Sequence, residues 1–335
     1  MKKKIKSVQD LSVCVWNVGG LKSKNNDKTN DNIFLEEVTK HDIILLTETH
    51  VGYDTHIDIN GYKYFPVCRQ KSKNGRFYGG LGIFIRKEIC NGVKILQNNS
   101  KDFQWLKLDS SFFNLKKDIF LCLAYIIPPN SFYTNQSEED ILELIEKDII
   151  KYTNKGHIIL CGDLNARTGS EPDYIENDFY DIHVPLYNDY HNDDVQNKRL
   201  SQDSKTDTRG KQLLELCIAT NLRILNGRMW GDSCGKYTCI KQAGSSVVDY
   251  VIMSEDLLAN TLSFHVSDFL STLSDCHCKL DFRILACYSK DNVTKNSDIV
   301  FPGKYRWSST YGEMLLNALN CQETINDMKE FLESD

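Results

Sequence analysis

The sequence predicts an α/β fold. Short runs of apolar residues, typical of buried strands, recur along the chain and are separated by amphipathic helix patterns. Polar and acidic residues directly follow several of these runs, which indicates functional side chains at strand ends. The chain has 335 residues, of which 41% are hydrophobic and 10% aromatic. That is enough to bury one substantial core or two modest ones.

The strands and helices follow from the hydrophobic pattern, taken in chain order. Strands are predicted where apolar, β-branched or aromatic residues run together. They lie at residues 11–16, 42–48, 77–87, 104–108, 119–127, 158–161, 222–225, 237–240 and 246–253. Helices are predicted at residues 137–149 and 212–218, with a shorter one at 33–38 and helical spacing again after residue 314. Residues 167–210 are polar and almost without periodicity, which predicts a long surface excursion.

The charge balance excludes a chain that attracts nucleic acid through its overall field. The net charge is −6, so a polyanionic partner must be bound by a local basic patch. One patch is the lysine-rich segment at residues 2–6, which is typical of a solvated charge run. The other has four cations and no acid, and it precedes a glycine-led strand: Arg69, Lys71, Lys73 and Arg76. We expect this second patch to lie beside a cleft.

The cysteines predict the redox environment of the protein, and the lengths of the apolar runs predict whether it spans a membrane. The 12 cysteines are dispersed, with no signal-peptide pattern before them, which predicts a reduced intracellular protein and allows a nuclear one. Cys276-His277-Cys278 has residue types that bind zinc, but neighbouring side chains alternate sides in an extended chain, which argues against a zinc site. The longest apolar run, residues 119–127, is about half a membrane span, so no membrane partner is expected.

The strongest functional pattern is the strand that ends in Gly162-Asp163-Leu164-Asn165. The glycine lets the backbone turn and approach a ligand, and Asp163 and Asn165 project from one face if the extended geometry continues. A carboxylate and a carboxamide in that arrangement suit activation of water and stabilisation of an oxyanion. The same residues also form an ordinary Asx turn, and this segment by itself favours the turn.

Three further segments carry polar residues at or near strand ends. Asn17 follows the first strand and Glu48 follows the second. Asp249 lies inside the apolar run at residues 246–253, where an unpaired charge would be costly. His277 is a suitable partner, because a buried aspartate fixes the tautomer of an imidazole and favours its charged form. This pair shifts the interpretation from a structural role toward catalysis.

These motifs, in this order and at these strand ends, resemble the endonuclease/exonuclease/phosphatase superfamily over roughly residues 11–288. The motifs are Trp16-Asn17, Thr47-Glu48-Thr49-His50, Tyr125 before a proline pair, Gly162-Asp163-Leu164-Asn165-Ala166, Val248-Asp249-Tyr250 and Ser274-Asp275-Cys276-His277. Within the superfamily, the segments at 80–83, 166–169, 224–228 and 237–238 look most like the endonuclease domains of non-LTR retrotransposons. Residues 305–307 look like the start of the linker that precedes reverse transcriptase in those elements.

The resemblance implies an architecture and a domain division. The expected fold is a four-layer α/β/β/α sandwich of the DNase I type, with the catalytic residues at one end of two packed sheets. This domain is expected to span residues 1–288, and residues 289–335 are expected to form a polar linker and a short helical C-terminal extension. A reverse transcriptase is an expected partner in a longer parent element. A truncated element, a domesticated gene and a separate nuclease all fit the sequence.

The resemblance also implies an activity, the Mg²⁺-dependent nicking of one DNA strand to leave 5′-phosphate and 3′-hydroxyl ends. Glu48, with help from Asn17, is expected to hold the ion, and Mn²⁺ is an alternative to Mg²⁺. Contacts to DNA phosphates are expected from the second basic patch and from neighbouring lysines. They are Arg69, Lys71, Lys73 and Arg76, with Lys22, Lys24 and the lysines at residues 2–6.

The resemblance also implies which residues take the proton from the attacking water and which stabilise the developing oxyanion. Asp163 is expected to orient and deprotonate the attacking water. Asn165, Tyr125 and His277 are expected to donate to the developing oxyanion, and Asp249 to hold His277 in its charged state. For Tyr125, a role as a core aromatic residue is as compatible with the sequence as a catalytic one.

One departure from the superfamily pattern concerns the last motif. The usual order is Ser-Asp-His, whereas this chain has Ser274-Asp275-Cys276-His277. We align His277 with the superfamily histidine, since the chemistry requires the imidazole, and Cys276 then takes the place of the aspartate. Asp275 is left without an assigned role. If Asp275 kept the aspartate position instead, His277 would point to the wrong face of an extended strand.

Two other functions remain open on the sequence. One keeps the metal site but acts on a lipid or inositol phosphate; the chain shows no apolar membrane-binding hairpin that favours it. The other is a catalytically inactive, nucleic-acid-binding relative, which the departure at Cys276 would explain. Thr238 fits either a site residue or an ordinary strand hydroxyl.

Overall fold

The structure, a computed structural model, describes residues 9–23, 26–128, 140–175 and 198–288, together with Asn326. The chain divides into two compact units, Met1–Asp291 and Asn292–Asp335. The predicted C-terminal extension, residues 289–335, lies outside the described residues except for the helical Asn326. Among the described residues, no helix combines the length and the apolarity needed to cross a membrane.

The described elements have the following bounds. The strands are β1 (Gln9–Asn17), β2 (Ile43–Thr47), β3 (Tyr62–Val67), β4 (Leu81–Arg86), β5 (Val93–Ile95), β6 (Phe103–Leu108), β7 (Asp118–Tyr125), β8 (Gly156–Asp163), β9 (Leu222–Ile224), β10 (Cys239–Lys241), β11 (Gly244–Ser246), β12 (Asp249–Ser254), β13 (Thr261–Val266) and β14 (Leu280–Ala286). The helices are α1 (Asn32–Val38), α2 (Ser110–Phe113), α3 (Ile141–Thr153), α4 (Thr208–Thr220) and α5 (Glu255–Leu258).

The strands form two six-stranded sheets and one separate hairpin. The first sheet has the order β13-β14-β1-β2-β4-β3, the second has the order β5-β6-β7-β8-β12-β9, and β10 pairs with β11. β1 runs parallel to β2 and β7 runs parallel to β8. The C-terminal ends of β1 and β2 therefore lie side by side in the first sheet, and those of β7 and β8 lie side by side in the second.

Both sheets are buried on two faces, which explains their continuous apolar strands. In β8, Ile159 and Cys161 belong to the core between the sheets, whereas Ile158 and Leu160 pack with residues of α3 and α4 on the outer face. Successive side chains of a strand point to opposite faces, so both sets must be apolar. On the outer face of the first sheet, Phe34 of α1 packs in a third cluster. The layers are thus helix, sheet, sheet and helix, and the predicted four-layer sandwich is confirmed.

The predicted surface excursion at residues 167–210 is a surface feature only in part. In its described portions, Asp173 and Asp203 are buried although they are charged. Asp173 is paired with the buried Arg228, and Asp203 is paired with Arg167. A buried carboxylate requires such a partner. Sequence periodicity does not detect this packing, because the residues involved are polar.

Glycine is needed at position 162 for the packing of two strands, whereas the sequence predicted that it allows a ligand to approach. β8 continues through Gly162 to Asp163, and the residue has a φ of +132°. A Cβ at this position would lie 1.9 Å from the carbonyl oxygen of Ala124 in the neighbouring strand β7. Glycine therefore allows β7 and β8 to approach each other directly beside Asp163.

Replacing Gly162 by alanine is expected to destabilise the fold by at least about 3 kcal/mol, from backbone strain and from the clash with Ala124. Gly244→Ala is the matched control, since Gly244 has a φ of +133° and nothing within 4 Å of a Cβ. The control should cost only the strain, about 1 to 2 kcal/mol. Urea unfolding of the two variants measures the difference. Equal losses of stability would show that the approach of β7 does not require glycine.

Candidate active site

The ends of β1, β2, β7 and β8 and the start of β12 bring the predicted polar residues together. Asn17 is the last residue of β1, Glu48 follows β2, and Asp163 is the last residue of β8. Asp249 opens β12, where it lies directly opposite Asp163 in the antiparallel pair. Tyr125, the last residue of β7, lies opposite Asp163 on the other side. The register of the second sheet thus places two carboxylates and a phenol in one row.

Asn17 connects the two sheets at this end. Its Nδ2 donates to Oε1 of Glu48 at 2.9 Å and to Oδ2 of Asp163 at 2.9 Å. Its Oδ1 accepts from the backbone N–H of Gly19 at 3.1 Å. The side chain is buried, with 2% exposure, so these contacts fix its orientation. The two carboxylates that it joins come from different sheets.

Glu48 is the anionic group with an open side. The residue has a φ of +52°, and its Oε2 lies 3.2 Å from Nε2 of His50. Burial raises the pKa of Glu48, but hydrogen bonds from His50, Asn17 and Tyr125 outweigh that effect and lower it to about 2. The carboxylate is therefore charged at neutral pH. Its side chain is 24% exposed, which leaves oxygen surface for a further ligand.

His50 is a site residue that the sequence analysis did not assign. It contacts Glu48, and its ring lies edge-on to Tyr78 with the centroids 6.1 Å apart. The signal was present, because His50 belongs to the same strand-end motif as Glu48. Its φ of +55° turns the side chain back toward the carboxylate, and a sequence pattern does not show that turn.

His277 lies between two aspartates. Its Nδ1 is 3.1 Å and 2.9 Å from the two carboxylate oxygens of Asp249. Its Nε2 is 3.8 Å from Oδ2 of Asp163. Burial lowers the pKa of His277, but the charge of Asp249 and the hydrogen bond to it outweigh burial and raise the pKa to about 10. The imidazole is thus a cation at neutral pH, with Nε2 directed toward the Asp163 side.

The backbone of His277 is fixed independently of its ring. The hydroxyl of Ser274 donates to the carbonyl of Asn17 at 2.9 Å and accepts from the N–H of His277 at 3.1 Å. The indole of Trp16 donates to the carbonyl of His277 at 3.0 Å. These three contacts hold the segment against the end of β1.

The Asp163 segment forms the Asx turn and directs one carboxylate oxygen of Asp163 into the site, whereas Asn165, with a φ of +44°, leaves the extended geometry. The N–H of Asn165 donates to Oδ1 of Asp163 at 3.1 Å, which is an Asx turn. Oδ2 of Asp163 faces Asn17 and His277. Burial raises the pKa of Asp163, and the adjacent charge of Asp249 raises it further, so this carboxylate is a stronger base than one in water. The Nδ2 of Asn165 donates to the carbonyl of Ile126 at 2.9 Å.

The extra residue in the last motif is accommodated by a bend. Asp275 and Cys276 form the bend, and His277 then makes an antiparallel bridge with Cys239. The assumption of an extended strand through this motif is therefore wrong. Asp275 packs against Gly19, where a Cβ would lie 2.8 Å from its Oδ2. Cys276 points instead to Cys239, with the two Sγ atoms 3.4 Å apart.

Tyr125 and Thr238 also have defined places. Tyr125 is hydrogen-bonded to Glu48, and burial raises its pKa, so its hydroxyl is a donor at neutral pH. Thr238 is fully buried, and its Oγ1 accepts from the N–H groups of Val248 and Asp249 at 3.0 Å each. Thr238 thus positions the start of β12.

The four cations of the second basic patch lie in different surroundings. Arg69 is half-buried, paired with Asp102, and stacked over the ring of Tyr125 at 5.2 Å from the centroid. Three cations of the patch are exposed: Lys71, Lys73 and Arg76. Arg76 also lines a cleft of about 910 Å³ beside the site. Lys24 and residues 2–6, which were predicted to assist, lie outside the described residues.

Two further cations lie at the same cleft. Lys22 and Lys28 line it together with His50 and Asp275. Lys22 is paired with Asp27, with 2.7 Å between Nζ and Oδ2. Lys28 is buried, and its Nζ donates to the carbonyl of Val18. The charges of Lys22 and Lys28 at this cleft are thus offset by Asp27 and Asp275.

The donor set fits a hard divalent cation. Three carboxylates, those of Glu48, Asp163 and Asp249, converge around the cationic ring of His277. Their oxygen donors and negative excess are suited to Mg²⁺, which binds through one or two carboxylates and keeps several waters. The ligand atoms of Asp163, Asp249 and His277 lie within 4.8 Å of one another. Glu48 is the carboxylate with the more accessible oxygens, because its side chain is 24% exposed, against 1% for Asp163 and 4% for Asp249.

Comparisons with known structures give the same architecture. The endonuclease domain of TRAS1, a telomere-specific non-LTR retrotransposon, aligns with a TM-score of 0.51 and 18% identity over 82% of this chain and 98% of that domain. An AP endonuclease of Leishmania major aligns with a TM-score of 0.56 and 15% identity over 82% of this chain and 88% of that one. The 3′ phosphatase NExo of Neisseria, bound to a product DNA hairpin, aligns with a TM-score of 0.50 and 14% identity over 82% and 99%.

Comparisons at the level of sequence identify the family. No curated protein sequence matches the chain. A model of the Endonuclease/Exonuclease/phosphatase family matches residues 14–275, a span that contains Asn17, Glu48, Asp163 and Asp249 and ends two residues before His277. The chain therefore belongs to the endonuclease/exonuclease/phosphatase family of metal-dependent phosphoester hydrolases.

Proposed function

We propose that the chain is a Mg²⁺-dependent DNA endonuclease that nicks one strand and leaves a 5′-phosphate and a 3′-hydroxyl. The observation that carries the proposal is the connected set Glu48, Asn17, Asp163, His277 and Asp249, which joins the ends of both sheets. It provides a cation ligand, a base and a charged donor within one small site. Hydrolysis of a phosphodiester requires those three functions.

The metal would be held on the open side of Glu48, with Asn17 beside it. Bound there, Mg²⁺ supplies positive charge against the phosphate oxygens, and Mn²⁺ suits the same oxygen ligands. Asn17 presents its amide nitrogen to both carboxylates, so its contribution in this arrangement is to hold Glu48 and Asp163 in place.

The chain's own residues supply the remaining steps. Asp163 takes a proton from a water molecule, whose oxygen forms a bond to phosphorus while the bond from phosphorus to the 3′ oxygen breaks. The leaving oxygen takes a proton from a solvent water molecule and becomes the 3′-hydroxyl. Nε2–H of His277 donates to a non-bridging phosphate oxygen as negative charge develops, and Asp249 keeps the ring protonated and oriented. The phenol of Tyr125 is a second donor near Glu48.

The choice of DNA rests on charge around the site. Arg76 is exposed and lines the cleft, Lys71 and Lys73 are exposed in the same patch, and Lys22 and Lys28 also line the cleft. A local cationic rim is what a polyanion requires when the net charge of the chain is negative. The solved relatives include a retrotransposon endonuclease domain and an enzyme bound to product DNA, which support this substrate class.

A retrotransposon origin is the finer part of the proposal. The TRAS1 endonuclease domain is among the solved structures that share this fold, and the segments at 80–83, 166–169, 224–228 and 237–238 resemble the same group. A 3′-hydroxyl is the end that a polymerase extends, so a nick of this polarity would suit a reverse transcriptase in a longer parent element.

The first test is nicking of supercoiled plasmid with Mg²⁺ and with EDTA. We expect nicking only with Mg²⁺, and full resealing of the product by DNA ligase, which requires a 5′-phosphate and a 3′-hydroxyl. Phosphate release from inositol or lipid phosphates, without nicking of DNA, would assign the chain to the other phosphoesterases. A folded protein that binds DNA but cleaves no phosphoester would be an inactive relative.

The second part of the test measures the phosphate contact of Arg76. In Arg76→Gln, the slope of log affinity for duplex DNA against log salt should fall by about 0.9, the value for one phosphate contact. Lys147→Gln is the matched control, since Lys147 is an exposed cation on α3, away from the strand ends that form the site. An equal change in both variants would exclude a specific contact at Arg76.

A further inference from the structure

Two thiols and an imidazole converge beside the proposed catalytic centre. The Sγ atoms of Cys239 and Cys276 are 3.4 Å apart. Together with one ring nitrogen of His277, these ligand atoms all lie within 4.8 Å of one another. The three residues are buried, with exposures of 3%, 8% and 8%. Neither thiol has a part in the hydrolysis described above.

The local backbone explains how Cys276 and His277, which are adjacent in the sequence, both come to face Cys239. Cys239, in β10, forms an antiparallel bridge with His277, with hydrogen bonds from Ile240 N–H to the Cys276 carbonyl and from Cys278 N–H to the Thr238 carbonyl, each 2.7 Å. This pattern places Cys239 and His277 directly opposite each other without hydrogen bonds between them, where side chains are closest. The bend at Cys276 then turns its thiol toward Cys239. Alternation along an extended strand, which argued against a zinc site in the sequence, does not apply here.

The donor spacing is close to what zinc requires. In a tetrahedral site with Zn–S bonds of about 2.3 Å, two sulfur ligands are about 3.8 Å apart. The observed separation of 3.4 Å needs to open by only a few tenths of an ångström. Two thiolates and an imidazole form a set that selects zinc over magnesium, since magnesium takes hard oxygen ligands.

The partner of the imidazole completes the arrangement. Metal-binding histidines usually donate their second ring N–H to a carboxylate, which fixes the ring and raises its basicity. His277 does so through Nδ1, which bonds to Asp249 at 2.9 Å. Nε2 is therefore the nitrogen left for a metal.

We propose that Cys239, Cys276 and His277 form a Zn²⁺ site, with the fourth position open to water. Binding releases the two thiol protons and the Nε2 proton, so that two thiolates and a neutral imidazole hold the ion. Occupancy takes from His277 the proton and the nitrogen that it directs toward Asp163. Zinc bound here therefore inhibits phosphodiester cleavage, and this consequence, unlike the site itself, rests on the proposed function.

The site is tested with Co²⁺ as a spectroscopic substitute for zinc in the full chain. We expect one equivalent of Co²⁺ to give near-ultraviolet charge-transfer absorption from two thiolates and the visible bands of a tetrahedral ion, both removed by one equivalent of Zn²⁺ and retained in excess Mg²⁺. Cys239→Ser and Cys276→Ser should each lose about half of the charge-transfer intensity and bind Zn²⁺ more than about 10-fold more weakly. Cys234→Ser, which removes an exposed free thiol, is the matched control and should keep the wild-type spectrum.

Other outcomes would overturn the site. If the wild-type chain with Co²⁺ shows no thiolate charge-transfer absorption, the zinc site is excluded. This result needs no variant, so it does not depend on whether a substituted chain folds. Retention of the full spectrum in both Cys239→Ser and Cys276→Ser would place the metal elsewhere. Circular dichroism of each variant identifies any loss of folding, and Cys239→Ala provides a second substitution at the same position.

The inhibitory consequence is measured separately, in the nicking assay with Mg²⁺. Stoichiometric Zn²⁺ should stop cleavage by the wild-type chain, EDTA followed by fresh Mg²⁺ should restore it, and the Cys234→Ser control should behave as wild type. A normal cobalt spectrum in a chain that never nicks DNA would uphold the zinc site and overturn the endonuclease proposal. Undiminished nicking with zinc bound at this site would overturn the inhibition.

Discussion

Asp163→Asn is expected to lower the rate of Mg²⁺-dependent DNA cleavage by about 10³-fold, within the range for loss of a positioned general base. The substitution keeps the size of the side chain, and the amide oxygen can still accept from Asn17 in place of Oδ2. It removes the group whose burial beside Asp249 makes it a stronger base. The loss should appear in single-turnover rates of plasmid nicking at saturating Mg²⁺.

The DNA affinity and the stability of Asp163→Asn show whether the variant has lost only the base or whether the site is damaged. Asp163→Asn should bind duplex DNA with the affinity of the wild-type chain and stay folded with only a small loss of stability in urea, because no buried charge is left unpaired and only the hydrogen bond from the N–H of Asn165 is lost. Cleavage within about 10-fold of wild type would mean that another group activates the water. The roles assigned to Asp163 and His277 would then have to be exchanged or abandoned.

His277→Gln is expected to lower kcat by about 10² to 10³, the usual effect of removing one donor to a developing oxyanion. Glutamine can still donate a hydrogen bond but carries no charge. His277 is charged because Asp249 outweighs the effect of burial and raises its pKa to about 10. The KM for DNA should change little, because the contact strengthens only as charge develops on the phosphate.

A double-substitution cycle shows whether Asp249 acts through His277. Asp249 bonds to Nδ1 with both oxygens, at 3.1 Å and 2.9 Å, so Asp249→Asn should lose much of the benefit of the charged ring. The combined variant, His277→Gln with Asp249→Asn, should be no slower than the worse single variant by more than a few-fold. Multiplying effects would show that Asp249 has a contact with the substrate of its own.

Much of the sandwich could be predicted, because its central strands are buried on both faces. β2, β7 and β8 each contain an unbroken run of at least four apolar residues, and their positions were predicted closely. β14 was not predicted, although it lies between β13 and β1 in the first sheet. Its apolar residues alternate with the partly exposed Asp281 and Arg283, and such a short alternating pattern is easily read as irregular.

The site could be predicted where side chains are attached directly to strand ends. Asn17, Asp163 and Asp249 are of this kind, since strand geometry carries them to a common edge. Arg69 is different: it was predicted to contact DNA, and in the fold its guanidinium is engaged by Asp102 and stacked on Tyr125. Whether it also contacts a phosphate remains a prediction. Long side chains on loops take partners that local sequence does not specify.

The sequence by itself determined which strands are buried and which polar residues stand at their ends, because both properties depend on local periodicity and on the chemistry of single residues. Only the tertiary structure decided that Asn17 joins the carboxylates of two sheets and that His50 turns back to Glu48. It also decided that a bend at Cys276 returns His277 to Asp249 and brings two thiols together. These contacts join residues as many as 146 positions apart or depend on backbone turns, and neither leaves a periodic signal in the chain.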